Sequence, residues 1–597
     1  MRPIEFLPMP HPKDFDPSVD LDELEPDFFY NNFVKHFIPD MIQMMDTGLT
    51  IDQDAVEDLR KTVEEVLLSV IKRLEDNPLI KQFQLERLPQ AQKDHAEKCT
   101  QAIREVDHYI KDFNDKDVVH RTWVVNTYLT KIHKPEDAKD KWVLKDLKKY
   151  NIFLKDPFIR ALCDKRRLTT NADVCLGMLS LAKYKLELWN RPRYDKAEKP
   201  VVLDTFNPGS SKQMKGFFEM VGVEPLAYSK ETGEASWGRD QLVLVQEVTS
   251  EGALQDALEA MIDFSFSSII KSNFLNAFDK FTIDGVLHGN IRLFGAKSFR
   301  NTSDKPNLFN MPSTKSIYAK PLKKCFKAPE GYVVYAIDYS ALEDRGIANL
   351  TEDTNKCNIF LEGLDGHSLN ACGYFPELIE AILGPNVDNV AYVRKFKAGV
   401  DDGDKELDAI RFRSKAPTFK LAYGGYPDAH KGGVITQEIF DNYHNVLYPG
   451  ITDYRENYVL ATAERQGYIH LGLGCRLYTN DPNGQIRTLH NATCQFWSIL
   501  TLIAINELNY QAREQGMSED VIPHSTIYDS LYIYVKKDAE SIKWLNDTLV
   551  PIMNTDYLID TIVPNECVGE IGNNWAELNS IPNNASIKDI QEVLNDL

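Results

Sequence analysis

The sequence predicts an α+β chain in which a helical first part gives way to short β-rich runs interleaved with helices. Apolar residues recur at three- and four-residue steps from Phe28 to about Leu74, through Phe33, Phe37, Ile38, Met41, Ile42 and Met45. That is the spacing of one helix face. Residues 333–337, 525–528 and 531–535 are instead dense in β-branched and aromatic side chains, as strands are. No repeat or low-complexity tract stands out between these regions.

Taken in order, residues 1–26 are rich in Pro and Asp and read as an irregular leader. After the first helical run, residues 75–150 carry charged, amphipathic helical patterns, and the apolar segment VVHRTWVVNTYL around His120 and Arg121 reads as core. A Pro-containing break at 192–208 precedes a helix over 210–221, stopped by Gly222. From there to about Leu578 strands and helices alternate. In the tail, Ser586 and Asp589 suit a helix start, and Ile587, Ile590, Leu594 and Leu597, with Val593 beside them, form an apolar stripe. Two readings stay open for that stripe: it folds back onto the chain, or it docks an accessory protein.

Composition narrows the function classes. The chain has 597 residues, of which 43% are apolar, enough for a substantial core. Sixty-eight Lys plus Arg stand against 89 Asp plus Glu, a net charge of −21. That balance argues against a general nucleic-acid binder and confines phosphate-binding charge to a local groove. No stretch is long and apolar enough to cross a bilayer, and the prolines and acids of the first residues do not suit a signal or transit peptide. A cytosolic protein is expected. Its nine cysteines form no C-x-x-C pair, so reduced packing residues are expected rather than a metal clamp.

Three islands carry the chemistry. In VVYAIDYSALEDR (333–345), a buried strand ends at Asp338, and the Ser340/Glu343 spacing predicts a helix beginning at Ser340. In STIYDSLYIYV (525–535), two strands flank Asp529–Ser530, predicting a tight hairpin with an aspartate at its tip. In RFRSKAPTFKLAYGG (411–425), Arg411, Lys415, Phe419 and Tyr423 are spaced by four and lie along one helical face. Cations followed by rings suit a site for phosphates and a base plane. Pro417 opposes that helix, because it removes a backbone donor.

In these islands and their order, the sequence resembles the family A DNA polymerases, which include bacterial DNA polymerase I and related bacteriophage replicative enzymes. Motif A appears as DYSALEDR at 338–345, motif B as Arg411, Lys415, Phe419, Tyr423 and Gly424, and motif C as IYDS at 527–530. Six smaller segments follow the family order: FNPGSSKQ (206–213), FRNTSDKPNLFNMP (299–312), LKKCF (322–326), DGH (365–367), RTLHNATCQ (487–495) and GNNW (572–575). Departures are present. Tyr528 and Ser530 replace the His and Glu that usually flank the motif C aspartate, and Phe309 and Ala341 replace glutamines.

The resemblance implies a right-hand architecture with an antiparallel palm sheet and mainly helical thumb and fingers. Its expected divisions are a helical region and thumb at 27–285, palm at 286–350 and 476–577, fingers at 351–475, and a tail at 578–597. It implies primer extension from dNTPs by two-metal phosphoryl transfer, with Asp338, Asp529 and the Tyr339 carbonyl holding two Mg²⁺, for which Mn²⁺ substitutes. Arg411, Lys415 and His367 would hold the triphosphate, with Lys415 also protonating the leaving pyrophosphate. Phe419 would lie against the sugar and base, and Tyr423 would close the template side. Phe rather than Tyr at 419 implies rejection of nucleotides lacking a 3′-hydroxyl. Glu343 corresponds to the gate against a ribose 2′-hydroxyl. Arg300, Asn307, Asn310, Lys323, Arg487, Asn491 and Gln495 would meet primer-template DNA.

The 3′–5′ exonuclease domain that usually precedes the thumb is not recognised. Asp20 and Asp22 offer an acidic pair, but they lie in the irregular leader, so proofreading is expected to be lost or supplied by a separate subunit, alongside any processivity partner. The compact plan fits viral DNA replication in the cytoplasm of an infected bacterium. The alternatives are a single-subunit bacteriophage-type RNA polymerase and a catalytically weak accessory subunit with a polymerase fold.

Overall fold

The structure, a computed structural model, describes residues 24–87, 89, 205–225, 235–249, 252–312, 316–422, 424–427, 435–559 and 561–597. The expectations for residues 90–204, for Asp20 and Asp22, and for Tyr423 fall outside them. The chain divides into two compact units, one comprising residues 1–66 and 266–597, the other residues 67–265.

The first unit is organised by a five-stranded antiparallel sheet. Its strands are β1 (Tyr332–Tyr339), β2 (Val521–Ile527), β3 (Ser530–Lys536), β4 (Cys567–Asn574) and β5 (Glu577–Ile581), in the order β5-β4-β1-β3-β2. Side chains alternate between faces along a strand. Val333, Tyr335, Ile337 and Tyr339 of β1 therefore enter one core with Leu531, Ile533 and Val535 of β3. Asp338 is left on the opposite face. A one-residue slip of β1 would bury Asp338 in that core, so apolar burial fixes the register that presents it.

Helices cover the core face. Phe37, Met41 and Met44 of α1 (Lys35–Thr47) join the same cluster. It also takes in residues of α6 (Ile499–Glu514), α7 (Ala539–Met553) and α8 (Ile587–Asn595), which follow the helices of the site introduced below. Among these apolar residues lies buried Asp40, which accepts from Asn506 at 2.6 Å and Asn509 at 2.8 Å. Burial raises its pKa, and the two amide hydrogen bonds oppose that rise.

One helical expectation is corrected and another is resolved. The periodic run from Phe28 is not continuous: α1 ends at Gly48 (φ +65°), Leu49–Thr50 is a short strand, and a second helix spans Gln53–Asp76. A side chain at Gly48 would also come within 2.7 Å of Val286, so the break is built into the packing. The tail forms α8 from the expected Ser586 cap, and Asp589 goes beyond its expected first-turn place by closing a capping box with Ser586. Of the two readings, the structure supports folding back, because Ile590 and Leu594 are buried against the chain's own core.

A second apolar cluster holds the helices that frame the site: α2 (Leu342–Thr351), α3 (Gly366–Tyr374) and α4 (Lys405–Ala422). α5 (Pro482–Gln495) contributes Cys494 to this cluster and Leu489 and Ala492 to the first. α4 continues through Pro417. The proline removes the bond to the Arg413 carbonyl. On either side, the Ser414 and Thr418 hydroxyls donate to the Arg411 and Ser414 carbonyls at 2.8 and 2.7 Å.

In the second unit, the expected helix is Ser211–Val221, capped by the Ser210 side chain and ended by Gly222 in the left-handed region. Phe217 packs against Phe83 and Phe206, with ring centroids 5.9 and 5.5 Å away. Buried Gln213 accepts from the Asn207 amide at 2.7 Å, so part of the FNPGSSKQ signature serves local folding.

Candidate active site

The two aspartates of the outer islands meet at one end of the sheet. Ser530 pairs with Asp338 across β3 and β1, so Asp529 precedes the residue opposite Asp338. The Tyr339 amide donates to the Asp529 carbonyl at 3.3 Å, and the Ser530 hydroxyl donates to Asp338 at 2.6 Å. The hairpin differs by one residue from the expected one. Ser530 belongs to β3 and pairs with Ile527, so the turn is Tyr528–Asp529. Tyr528 takes φ +54° there, uncommon for a large side chain.

Electrostatics mark this pair as unsatisfied. Desolvation pushes the Asp529 carboxyl up to about 6, with Arg300 opposing and the charges of Asp338 and Glu343 reinforcing the shift. Desolvation raises Asp338 as well, against the hydrogen bond from Ser530 and the charge of Lys323. Among the described residues, neither carboxylate forms an ion pair with a Lys, Arg or His. Hard anionic oxygens brought together without a cation suit a divalent metal such as Mg²⁺. Among the described residues there is no group of three or more His, Cys, Asp or Glu able to hold a metal.

The capping box expected at Ser340 is not formed. The Ser340 amide donates to the Glu566 carbonyl at 2.8 Å, which keeps it tied to the neighbouring strand's approach. The chain turns at Ala341 (φ +53°), and α2 starts at Leu342 without a side-chain cap. Glu343 is thereby released to accept from Arg300 at 2.5 Å. Motif A's Arg345 is buried and structural, donating to the carbonyls of Ser340 and Pro564 and to Glu566.

Beside the aspartates lies a cavity of about 390 Å³ lined by Glu343, Asp344, Lys356, His367, Thr418 and Asp529 among others. Arg411 is held by Asp365, next to the cavity-lining Gly366 and His367, with Nε and Nη2 donating at 2.8 Å each. Asp365 also caps α3, accepting from the Ser368 amide. Burial would raise its pKa, but the hydrogen bonds from Arg411 and Ser368 and the Arg411 charge hold it well below the usual carboxylate range. Burial lowers His367, and Lys415 and Arg411 lower it further, so these three predicted residues share one electrostatic neighbourhood. Phe419 lies on α4.

The residues expected on DNA divide. Arg300 is engaged by Glu343 and lies over the Tyr528 ring at 5.6 Å. Asn307 caps the following turn through Phe309. Asn310 is exposed, and Lys323 acts electrostatically on both Asp338 and Glu570. Arg487, Asn491 and Gln495 lie at four-residue steps along α5. Gly424 (φ +73°) approaches Arg487 closely, since a Cβ there would stand 3.3 Å from the Arg487 Cγ.

Sequence reasoning missed three contributors. Asp365 was readable, because D-x-x-S is a helix-start pattern. The other two, Asp344 and buried Lys356, pair at 3.0 Å in the cavity wall. No local pattern reveals a buried lysine whose partner lies twelve residues away.

Comparison with known proteins agrees with this geometry. Residues 181–382 match the family described as DNA polymerase family A, a stretch that contains Asp338, Glu343 and His367. DNA polymerase I of Pseudomonas aeruginosa is 26% identical over 391 residues, covering 62% of this chain and 38% of that protein. The thermostable DNA polymerase I of Thermus filiformis is 24% identical over 398 residues, covering 62% and 42%. The chain thus matches about two fifths of the length of these relatives. The solved POL domain of Pol1 from M. smegmatis, in complex with DNA primer-template and dNTP, superposes with a TM-score of 0.51 at 21% identity, covering 62% of both chains. The chain therefore carries a region matching DNA polymerase family A, on the mainly helical, antiparallel-sheet fold of a right-hand polymerase.

Proposed function

We propose that this protein is a DNA-directed DNA polymerase that extends a primer 3′ end from dNTPs. The observation that carries the reading is the uncompensated pair Asp338 and Asp529 beside a cavity walled by Glu343 and His367. Asp338 and Asp529 would hold Mg²⁺, which when bound supplies charge that polarises the primer hydroxyl and steadies the leaving pyrophosphate. The rest falls to the chain. Arg411 spends two of its five donors on Asp365, which leaves others for phosphate oxygens. Lys415 completes a cationic side and delivers a proton to pyrophosphate, with His367, whose lowered pKa favours the neutral imidazole, beside it as a hydrogen-bonding group. Phe419 and Tyr423 take the sugar–base plane, and Glu343 faces the sugar. Discrimination between bases comes from pairing and shape rather than from groove reading.

We also propose, on the resemblance to bacteriophage replicative enzymes, that it acts in replication with a separate proofreading or processivity subunit in an infected bacterial cell. No described helix is long and apolar enough to cross a membrane. The competing reading is a single-subunit RNA polymerase, against which Glu343 stands in the cavity wall. Primed template supplied separately with dNTPs and NTPs, in Mg²⁺ or Mn²⁺, tests the proposal. Template-dependent extension with dNTPs is expected. Extension with NTPs alone would favour the RNA polymerase, and none with either would favour an accessory subunit.

A further inference from the structure

Arg300 occupies a position shared by two parts of the site. Its Nη2 donates to Glu343 at 2.5 Å, and both side chains are largely buried, at 21% and 18% exposure. Its guanidinium lies over the ring of Tyr528, the residue immediately before Asp529. Tyr528 is itself fastened: its hydroxyl donates to the Phe309 carbonyl at 2.9 Å, and its ring packs 5.0 Å from that of Phe309. The one guanidinium therefore braces both the hairpin tip and the carboxylate in the cavity wall.

Glu343 needs such a brace. It stands in the first turn of α2 but takes no part in capping, and Oε2 is occupied by Arg300. Its other oxygen, Oε1, is buried without a hydrogen-bond partner, as is Nε of Arg300. A buried oxygen left open is costly unless something fills that role. Fixing one oxygen of a carboxylate also fixes where the second stands.

We propose that Arg300 is a positioning residue for sugar selection, holding Glu343 at the reach that separates a deoxyribose from a ribose. This rests on the polymerase reading above. Without Arg300 the carboxylate is free to rotate about its terminal torsion, and a 2′-hydroxyl gains room or even an acceptor. Selection is then linked to the catalytic hairpin, since the same side chain lies on Tyr528.

The test is single-nucleotide extension by the full chain, with kcat/KM measured for a dNTP and the matching rNTP. Arg300→Ala and Glu343→Ala should each lower the dNTP-to-rNTP ratio by about tenfold or more, and the double variant should lower it no further than the larger single effect, as coupled neighbours do. Arg300→Lys, which keeps charge but loses the planar fork, should fall between wild type and Arg300→Ala. Should Arg300→Ala prove inactive or unfolded, Arg300→Lys decides by the same ratio. Equal losses for both nucleotides, with the ratio unchanged, would overturn the inference, as would additive effects in the double variant. A wild-type chain that extends no primer overturns the polymerase reading itself, a distinguishable failure that removes the inference with it.

Discussion

Asp529 lines the cavity and Asp365 directly precedes Gly366 and His367 of its wall, yet their surroundings push the two acids in opposite directions. Asp365 is matched by Arg411 on two donors and by the Ser368 amide and hydroxyl on two more, and its carboxyl is driven below the usual range. Among the described residues Asp529 has neighbouring acids and no ion-paired base, and its carboxyl is driven up to about 6. One is an anion already answered by the fold. The other is an anion the fold leaves unanswered, which is the arrangement a cation-dependent reaction requires. On the function proposed above, the difference separates residues that hold the site from those that use it.

The sharpest way to break this contrast is to remove the unanswered acids. Asp338→Ala and Asp529→Ala should each lower nucleotide addition by about a thousandfold or more while leaving the protein folded, as expected when a metal-holding charge is lost. Near-normal extension by both would remove the two-metal assignment. Mg²⁺ or Mn²⁺ should raise the melting temperature of wild type but not of these variants.

Removing the answered acid should act differently. Asp365→Ala deletes both the Arg411 partner and the α3 cap, and is expected to destabilise by roughly 1–3 kcal/mol. Steady-state kinetics should show KM for dNTP raised about tenfold with kcat less affected, because a loosened Arg411 binds phosphate less well. A fall in kcat alone would contradict its assignment to holding the site.

Acidity separates the pair again. Asp529's folded pKa lies above its ordinary value of 3.8, so the folded state binds more protons and stability falls as pH rises from about 4 through about 6. Without divalent ions, Asp529→Asn should flatten that decline, by roughly 3 kcal/mol at neutral pH. Asp365 has the opposite sign. Its lowered pKa contributes stability present above 3.8 that is lost as pH falls below it. Melting temperatures from pH 3 to 8 for wild type, Asp529→Asn and Asp365→Ala would show both slopes, or refute them.

The smallest effect belongs to Ser530. Its hydroxyl donates to Asp338 at 2.6 Å and orients that carboxylate without replacing a metal. Ser530→Ala should reduce extension only a few-fold, in keeping with about 1 kcal/mol for such a bond. A loss as large as that of Asp529→Ala would make Ser530 part of the machinery.

Much of the site was legible because burial and periodicity act locally. Alternation along β1 sets Asp338 apart from Ile337 and Tyr339, and four-residue spacing places Arg411, Lys415 and Phe419 on one helix. What was misread depended on partners distant in sequence. Ser340 looked like a cap but is claimed by Glu566, and Glu343 looked like its capping-box partner but is claimed by Arg300. The hairpin tip moved by one residue because Ser530 pairs with Asp338 as well as Ile527, which extends β3 and forces the turn onto Tyr528. Pro417 was a fair warning about backbone bonding, yet side-chain hydroxyls and tertiary packing carry α4 through it.

The union of α1 with α6 bears on how the chain is made. Asp40 waits for an amide 466 residues further along, and β1 lies between β3 and β4, which are translated long after it. Until those arrive, the apolar faces of α1 and β1 have no lasting cover, and β1 has two open edges. Such long-range closure is slow and leaves sticky intermediates. Production of this protein should therefore respond strongly to cooler growth and to chaperones that shield nascent chains. Fragments that stop before β3 should collect in the insoluble fraction even though each of their helices is well formed.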